Sequence, residues 1–210
     1  MDKILNNKIK LFKAIAILIV VSGHLEFSLI PMFPPYSFQV LLFFFIAGML
    51  FNSKYSFIEY IKRRFNSLLK PYFLYCVFYL LITISITPYI DKFWGMPITI
   101  KNELLFPFLT GHQLDLISPL WFVPCLFITL IVYKTFSYIK CSKYVKLSFY
   151  LILSILAIYF QKFAQNIYYL WIFRTMFALF FIELGHLYKN DIENKFNIFT
   201  PKILSFILIL

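Results

Sequence analysis

Lys13-Ala14-Ile15-Ala16-Ile17-Leu18-Ile19-Val20-Val21-Ser22-Gly23-His24 is an apolar run with an ammonium at one end and an imidazole at the other. With Leu11 and Phe12 before it and Leu25 to Ile30 after it, the stretch reaches about 20 residues, enough to cross a hydrocarbon core roughly 30 Å thick. An α-helix turns about 100° per residue, so the eleven steps from Lys13 to His24 return to nearly one direction while rising about 16 Å. The lysine and the histidine therefore share a face. One stands near a membrane surface and the other well inside. An ionisable group inside a bilayer is costly and faces protein or a watery cavity, and an imidazole titrates near neutral pH, which suits a general base. The competing reading of His24 is a packing histidine hydrogen-bonded to a neighbour. Lys13 alone reads as a side chain that snorkels to the headgroups.

The composition extends the membrane reading to the whole chain. Its 210 residues are 61% hydrophobic, 22% aromatic and 14% charged, against about 25% charged in soluble domains. The mean hydropathy is +0.81. Apolar stretches at 11–30, 36–51, 71–87, 119–134, 147–160 and 168–187 alternate with polar connections, and Ile203 to Leu210 begins another. The expected fold is all-α: a polytopic transmembrane helix bundle of six full spans plus the start of a seventh. Eight residues cannot cross a bilayer, so the chain is expected to be a fragment or an early-terminated product. No repeat or Gly/Ser linker divides it, and residues 1–210 read as a single domain.

The net charge of +11 does not point to nucleic acid. Basic residues recur in alternate connections, at Lys3, Lys8 and Lys10, at Lys54, Lys62, Arg63, Arg64 and Lys70, at Lys140, Lys143 and Lys146, and at Lys189, Lys195 and Lys202. The positive-inside rule puts these loops and the N-terminus on the cytoplasmic side. Cys76, Cys125 and Cys141 have no metal-ligand or redox spacing and read as structural, and no metal site is expected.

Individual residues carry further expectations. Pro31, Pro34 and Pro35 close the first helix, and Pro71 is expected at the start of the third. Phe57 to Phe65 has the spacing of an interfacial helix. Arg63 and Arg64 within it either set topology and touch anionic lipid, or bind a polyanionic cofactor, since guanidiniums take phosphate oxygens bidentately. Gly48 either lets another backbone come close or is a plain packing glycine. Trp94 and Trp121 read as interface anchors, and His112 and Asp115 as surface residues. Arg174 and Glu183 lie nine residues apart, on opposite helix faces. Arg174 either snorkels or lines a cavity; Glu183 and His186 are expected to be solvated near the inner end. Glu26 is about 200° from His24, whereas Ser28 shares its face.

Taken together, Phe12 to His24, Phe43-Phe44-Phe45-Ile46-Ala47-Gly48-Met49-Leu50-Phe51, Ile61-Lys62-Arg63-Arg64-Phe65 through Leu69-Lys70-Pro71-Tyr72, Pro119-Leu120-Trp121-Phe122-Val123-Pro124 and Phe180-Phe181-Ile182-Glu183-Leu184-Gly185 resemble the membrane-bound acyltransferase 3 family. Many of its members O-acetylate cell-surface polysaccharides. The resemblance implies a membrane-bound O-acyltransferase in a bacterial cytoplasmic membrane, with more spans than this chain carries. Acetyl-CoA or another acyl-CoA would be the acyl donor, and a cell-surface or lipid-linked saccharide the acceptor. The family's basic residue and histidine on the first helix fall on Lys13 and His24, and its basic motif before the third helix falls on Arg63 and Arg64. This implies donor binding by Lys13, Arg63 and Arg64, and general-base catalysis by His24. Lys13 stands where the family usually has arginine, and Ser67 where a further arginine is common; lysine keeps the charge without the planar fork. Two other readings remain: a saccharide or solute translocase whose path is lined by His24 and Arg174, and a catalytically inactive membrane protein.

Overall fold

The computed structural model describes residues 3–24, 39–86, 121–161 and 170–192. All the regular structure among the described residues is helical. The α-helices are α1 (Lys3–His24), α2 (Gln39–Met49), α3 (Phe57–Arg64), α4 (Lys70–Ile86), α5 (Phe122–Phe136), α6 (Lys143–Gln161) and α7 (Leu170–Leu187). Phe65–Leu69 and Tyr188–Ile192 are π-helical turns. By length and composition, Phe57–Ile82, Lys143–Gln161 and Leu170–Asp191 can cross a membrane, while Val40–Met49 and Phe122–Phe136 are shorter apolar helices.

The chain forms two compact units, residues 1–51 with 181–210, and residues 52–180. In the first, α1 packs on α2 through a stripe at helical spacing: Ile9, Ala16, Ile19 and Ser22 are buried, while Lys10, Lys13, Ala14, Ile17 and Val21 are exposed. Ser22 Oγ donates to the Ile19 carbonyl at 2.9 Å, so its hydroxyl is satisfied within the helix. Ile9, Ile46 and Met49 form the core, covered by Leu42, Phe45, Leu50 and Tyr188. Phe181 to Leu187 of α7 cross α2 with no side chain between the backbones. A Cβ on Gly48 would strike the Ile182 carbonyl oxygen and stand 2.8 Å from its carbon; one on Gly185 would meet Phe45 in the same way. Gly48 thus answers the close-approach expectation, with Gly185 as its counterpart. Small residues permit such contacts where no water drives helices together.

In the second unit, α3, the π-turn and α4 form one helical run from Phe57 to Ile86. This corrects the expectation that an interfacial helix ends before a separate span begins at Pro71. Pro71 lies inside the run. In an α-ladder its ring would crowd the Ser67 carbonyl and leave that carbonyl without a donor. The chain instead widens just before it, with the Lys70 N–H reaching the Phe65 carbonyl. A π-turn takes up about one extra residue, which rotates the succeeding helix by roughly 100°. Tyr60 and Leu69 would stand about 180° apart in an uninterrupted α-helix. With the π-turn both are buried, and α3 and the turn pack on α5. Leu69, Tyr72 and Cys76 continue this buried stripe against Val123 and Phe127.

Helix α6 begins at Lys143, a turn before the expected Leu147, and packs Tyr150 and Phe149 on Tyr133 and Phe136. Leu74, Val77, Phe78 and Leu81 on α4, and Ile152, Ile155 and Ile158 on α6, are exposed. Such apolar faces suit contact with lipid.

Candidate functional site

The connection Asn52 to Ser56 and helix α3 build a cationic cluster backed by aromatic rings. Ser56 caps α3, its hydroxyl accepting from the Glu59 N–H at 3.3 Å. Glu59 Oε1 in turn accepts from Arg63 Nε at 3.1 Å and from its terminal nitrogen at 3.0 Å, one turn along the helix. The Arg63 guanidinium also stacks over the Tyr55 ring, 4.2 Å from its centroid. Arg64 lies 5.0 Å from the centroid of the Tyr60 ring. Adjacent residues on a helix point about 100° apart, so the two guanidiniums need different rings, and each has one.

Lys134 completes the cluster from beneath. This lysine lies in the last turn of α5 with only 1% of its surface exposed. Its ammonium donates to the Ser53 carbonyl at 3.0 Å and sits 4.8 Å from the Tyr138 ring centroid and 5.8 Å from that of Tyr60. A carbonyl and two ring faces replace part of the water a buried cation has lost. In the sequence, Lys134 reads only as the end of a span. Its nearness to a helix terminus suggests snorkelling, and Ser53 lies 81 positions away.

The same unit contains a second polar constellation. Arg174 of α7 stacks on Trp121, with its guanidinium carbon 3.8 Å from the ring centroid. Trp121, read from the sequence as an interface anchor, here holds a cation. The Cys125 thiol neighbours Thr129, Thr175 and Arg174.

In the first unit, α1 is unbroken from Lys3 to His24, the condition for an eleven-residue step to return to one face. Lys13 is exposed; His24 ends the helix, and its side chain lies outside the described residues. Glu183, expected to be solvated, is buried with 2% exposure. His186, also expected to be solvated, is half-buried, edge-on to Phe51 at 5.4 Å and within 3.1 Å of the Asn190 amide nitrogen. Glu26, Ser28, Trp94, His112, Asp115 and the segment from Ile203 to Leu210 lie outside the described residues. Cys76 and Cys125 are buried free thiols, and Cys141 is exposed.

The helices and their apolar faces are those of a membrane protein, and the described residues of its second unit carry a cluster of cations on aromatic rings. A family model described as an acyltransferase domain, that of the acyltransferase 3 family, matches residues 6–210. The chain belongs to that family. No curated protein and no solved structure matches it.

Proposed function

We propose that the chain transfers an acyl group, acetyl in the first instance, from a cytoplasmic acyl-CoA to a hydroxyl of a cell-surface or lipid-linked saccharide. One observation carries the reading: in a chain of the acyltransferase 3 family, two adjacent guanidiniums each lie over a tyrosine ring. Ring backing fixes a guanidinium plane while its edge keeps N–H donors matched to phosphate oxygens. Glu59 occupies two donors of Arg63, so a bound phosphate takes the remaining ones and competes with that carboxylate.

Lys13, Arg63 and Arg64 attract the phosphates of the donor in this reading. His24 takes the proton of the acceptor hydroxyl as its oxygen attacks the thioester carbonyl. The new C–O bond forms, the C–S bond breaks, and the proton passes to the departing CoA thiolate. A positioned general base contributes about 10² to 10⁴ in rate.

The test is transfer and hydrolysis of radiolabelled acetyl-CoA by the detergent-purified full chain. His24→Ala is expected to abolish both while the donor still binds, and Arg63→Ala to raise the donor KM first. Equal loss of donor binding in the two variants would overturn this division of roles.

A further inference from the structure

The run from Phe57 to Ile82 is 26 residues long and apolar enough to cross a membrane. At helical rise it measures about 39 Å, some 9 Å more than a hydrocarbon core of roughly 30 Å. With α4 in the core, α3 stands at headgroup depth. The π-turn at Phe65–Leu69 sets the phase between them. Because the turn takes up about one residue, eight residues across it act as about seven α-helical steps, roughly 20° short of two full turns. Ile58, Lys62, Phe65, Lys70, Phe73 and Val77 then fall within about 40° of one direction. The contacts agree with that phase. The Phe65 and Phe73 ring centroids lie 6.4 Å apart, Lys62 and Lys70 are both exposed, and Ile58 and Val77 are 78% and 44% exposed. Tyr60, Tyr72 and Cys76, on the far side of the run, are buried. Arg63 points about 100° away from Lys62, where Glu59 and the Tyr55 ring hold it. Glu59 is the only acid among the described residues of this unit, and Arg63 already engages its carboxylate.

We propose that this strip is a docking face for an anionic phospholipid from the leaflet on the basic side, its phosphate held by Lys62 and Lys70 and an acyl chain lying along Phe73 and Val77. Charge complementarity selects the occupant. A zwitterionic headgroup brings its own ammonium to two others, whereas an anionic one meets only cations. The two lysines stand about 12 Å apart along the axis at helical rise, and their flexible four-carbon stems let both ammoniums converge on a phosphate between them. Beyond Lys70 the strip turns apolar and enters the core. Headgroup and tail are thus matched to one molecule, which a free phosphate does not satisfy. Two lysines near an anionic membrane surface are together worth about thirtyfold in affinity. The basic stretch then serves two purposes on two sides of one helix: Lys62 and Lys70 face lipid, while Arg63 and Arg64 remain for the donor. The lipid face does not depend on the acyl-CoA reading.

The test is binding without turnover. The full chain, in a neutral detergent at low salt, is titrated with dioctanoyl phosphatidylglycerol, dioctanoyl phosphatidylcholine and glycerol phosphate. The thermal midpoint is the readout, since a ligand of the folded state raises it. A saturable rise is expected with phosphatidylglycerol at concentrations at least about tenfold below phosphatidylcholine, and no rise with glycerol phosphate. The double variant Lys62→Gln, Lys70→Gln is expected to reduce the phosphatidylglycerol response to that of phosphatidylcholine. Lys62→Arg with Lys70→Arg keeps the preference, because charge is what the headgroup reads. Acetyl-CoA binding stays within about twofold in the glutamine double variant, since the donor arginines are untouched. Equal response to the two lipids, the same response to glycerol phosphate, or a preference that survives both glutamines would overturn the assignment. So would joint loss of acetyl-CoA and phosphatidylglycerol binding in the double variant, which would make the stretch one undivided basic patch. A parent protein that prefers phosphatidylglycerol as expected but binds no acetyl-CoA would overturn the donor reading alone and uphold the lipid face.

Discussion

Lys134 ties three elements together with one ammonium. By holding the Ser53 carbonyl it fixes the connection that also supplies Tyr55 to Arg63 and the Ser56 cap to α3. It also belongs in the last turn of its helix, where a cation meets the negative end of the helix dipole. Lys134→Met is expected to cost about 1.5–3 kcal/mol, the range for a hydrogen bond to a charged group, read as a lower thermal midpoint in detergent. A purely structural role would stop there. As a positioning residue it should also raise the acetyl-CoA KM several-fold with kcat little changed, and Lys134→Arg should recover part of that loss. The exposed pair of Arg63 and Glu59, 57% and 46% exposed, has a different weight. Such an i,i+4 pair is worth about 0.3–0.5 kcal/mol, so Glu59→Gln should leave the thermal midpoint nearly unchanged. The same variant removes the carboxylate that holds Arg63, and on the proposed donor site the acetyl-CoA KM is expected to fall.

At the scale of elements, two local departures from ideal helix packing shape the two units, one in each. The π-turn at Phe65–Leu69 accommodates Pro71 and brings Tyr60 and Leu69 nearer to one side of the run, where both are buried. The Gly48 and Gly185 crossing brings backbone against backbone. Gly48→Ala or Gly185→Ala places a methyl group against a carbonyl that belongs to a helix and cannot swing aside as a side chain would. Overpacking of this kind typically costs about 1–3 kcal/mol. Both variants are expected to lower the thermal midpoint, and the double variant by less than the sum, because separating the helices once relieves both contacts. A fully additive double variant would show that the two glycines do not share one crossing.

For the whole molecule, the charge pattern predicts which connections face the cytoplasm. Cys141 is exposed in the basic connection after α5, while Cys76 and Cys125 are buried. A membrane-impermeant maleimide is expected to leave intact cells unlabelled and to label Cys141 once they are permeabilised; labelling of intact cells would reverse the assigned orientation. Hydropathy, loop charge and the motifs from Phe12 to Gly185 determined that the chain is an all-helical membrane protein of the acyltransferase 3 family, because span length and family motifs are written in consecutive residues. Lys13, Arg63, Arg64 and His24 were legible as candidates for the same reason: each is a polar residue at a definite place in an apolar or basic stretch. Only the tertiary structure decided that Lys134 is buried beneath Tyr60, that Arg174 covers Trp121, that Gly48 and Gly185 meet, and that Glu183 is enclosed. Each of those outcomes depends on which side of a helix faces which neighbour. Partners 81 positions apart, as Lys134 and Ser53 are, leave no periodic trace in the chain. The π-turn shifts helix phase by about a residue, enough to defeat extrapolation along even one continuous helix.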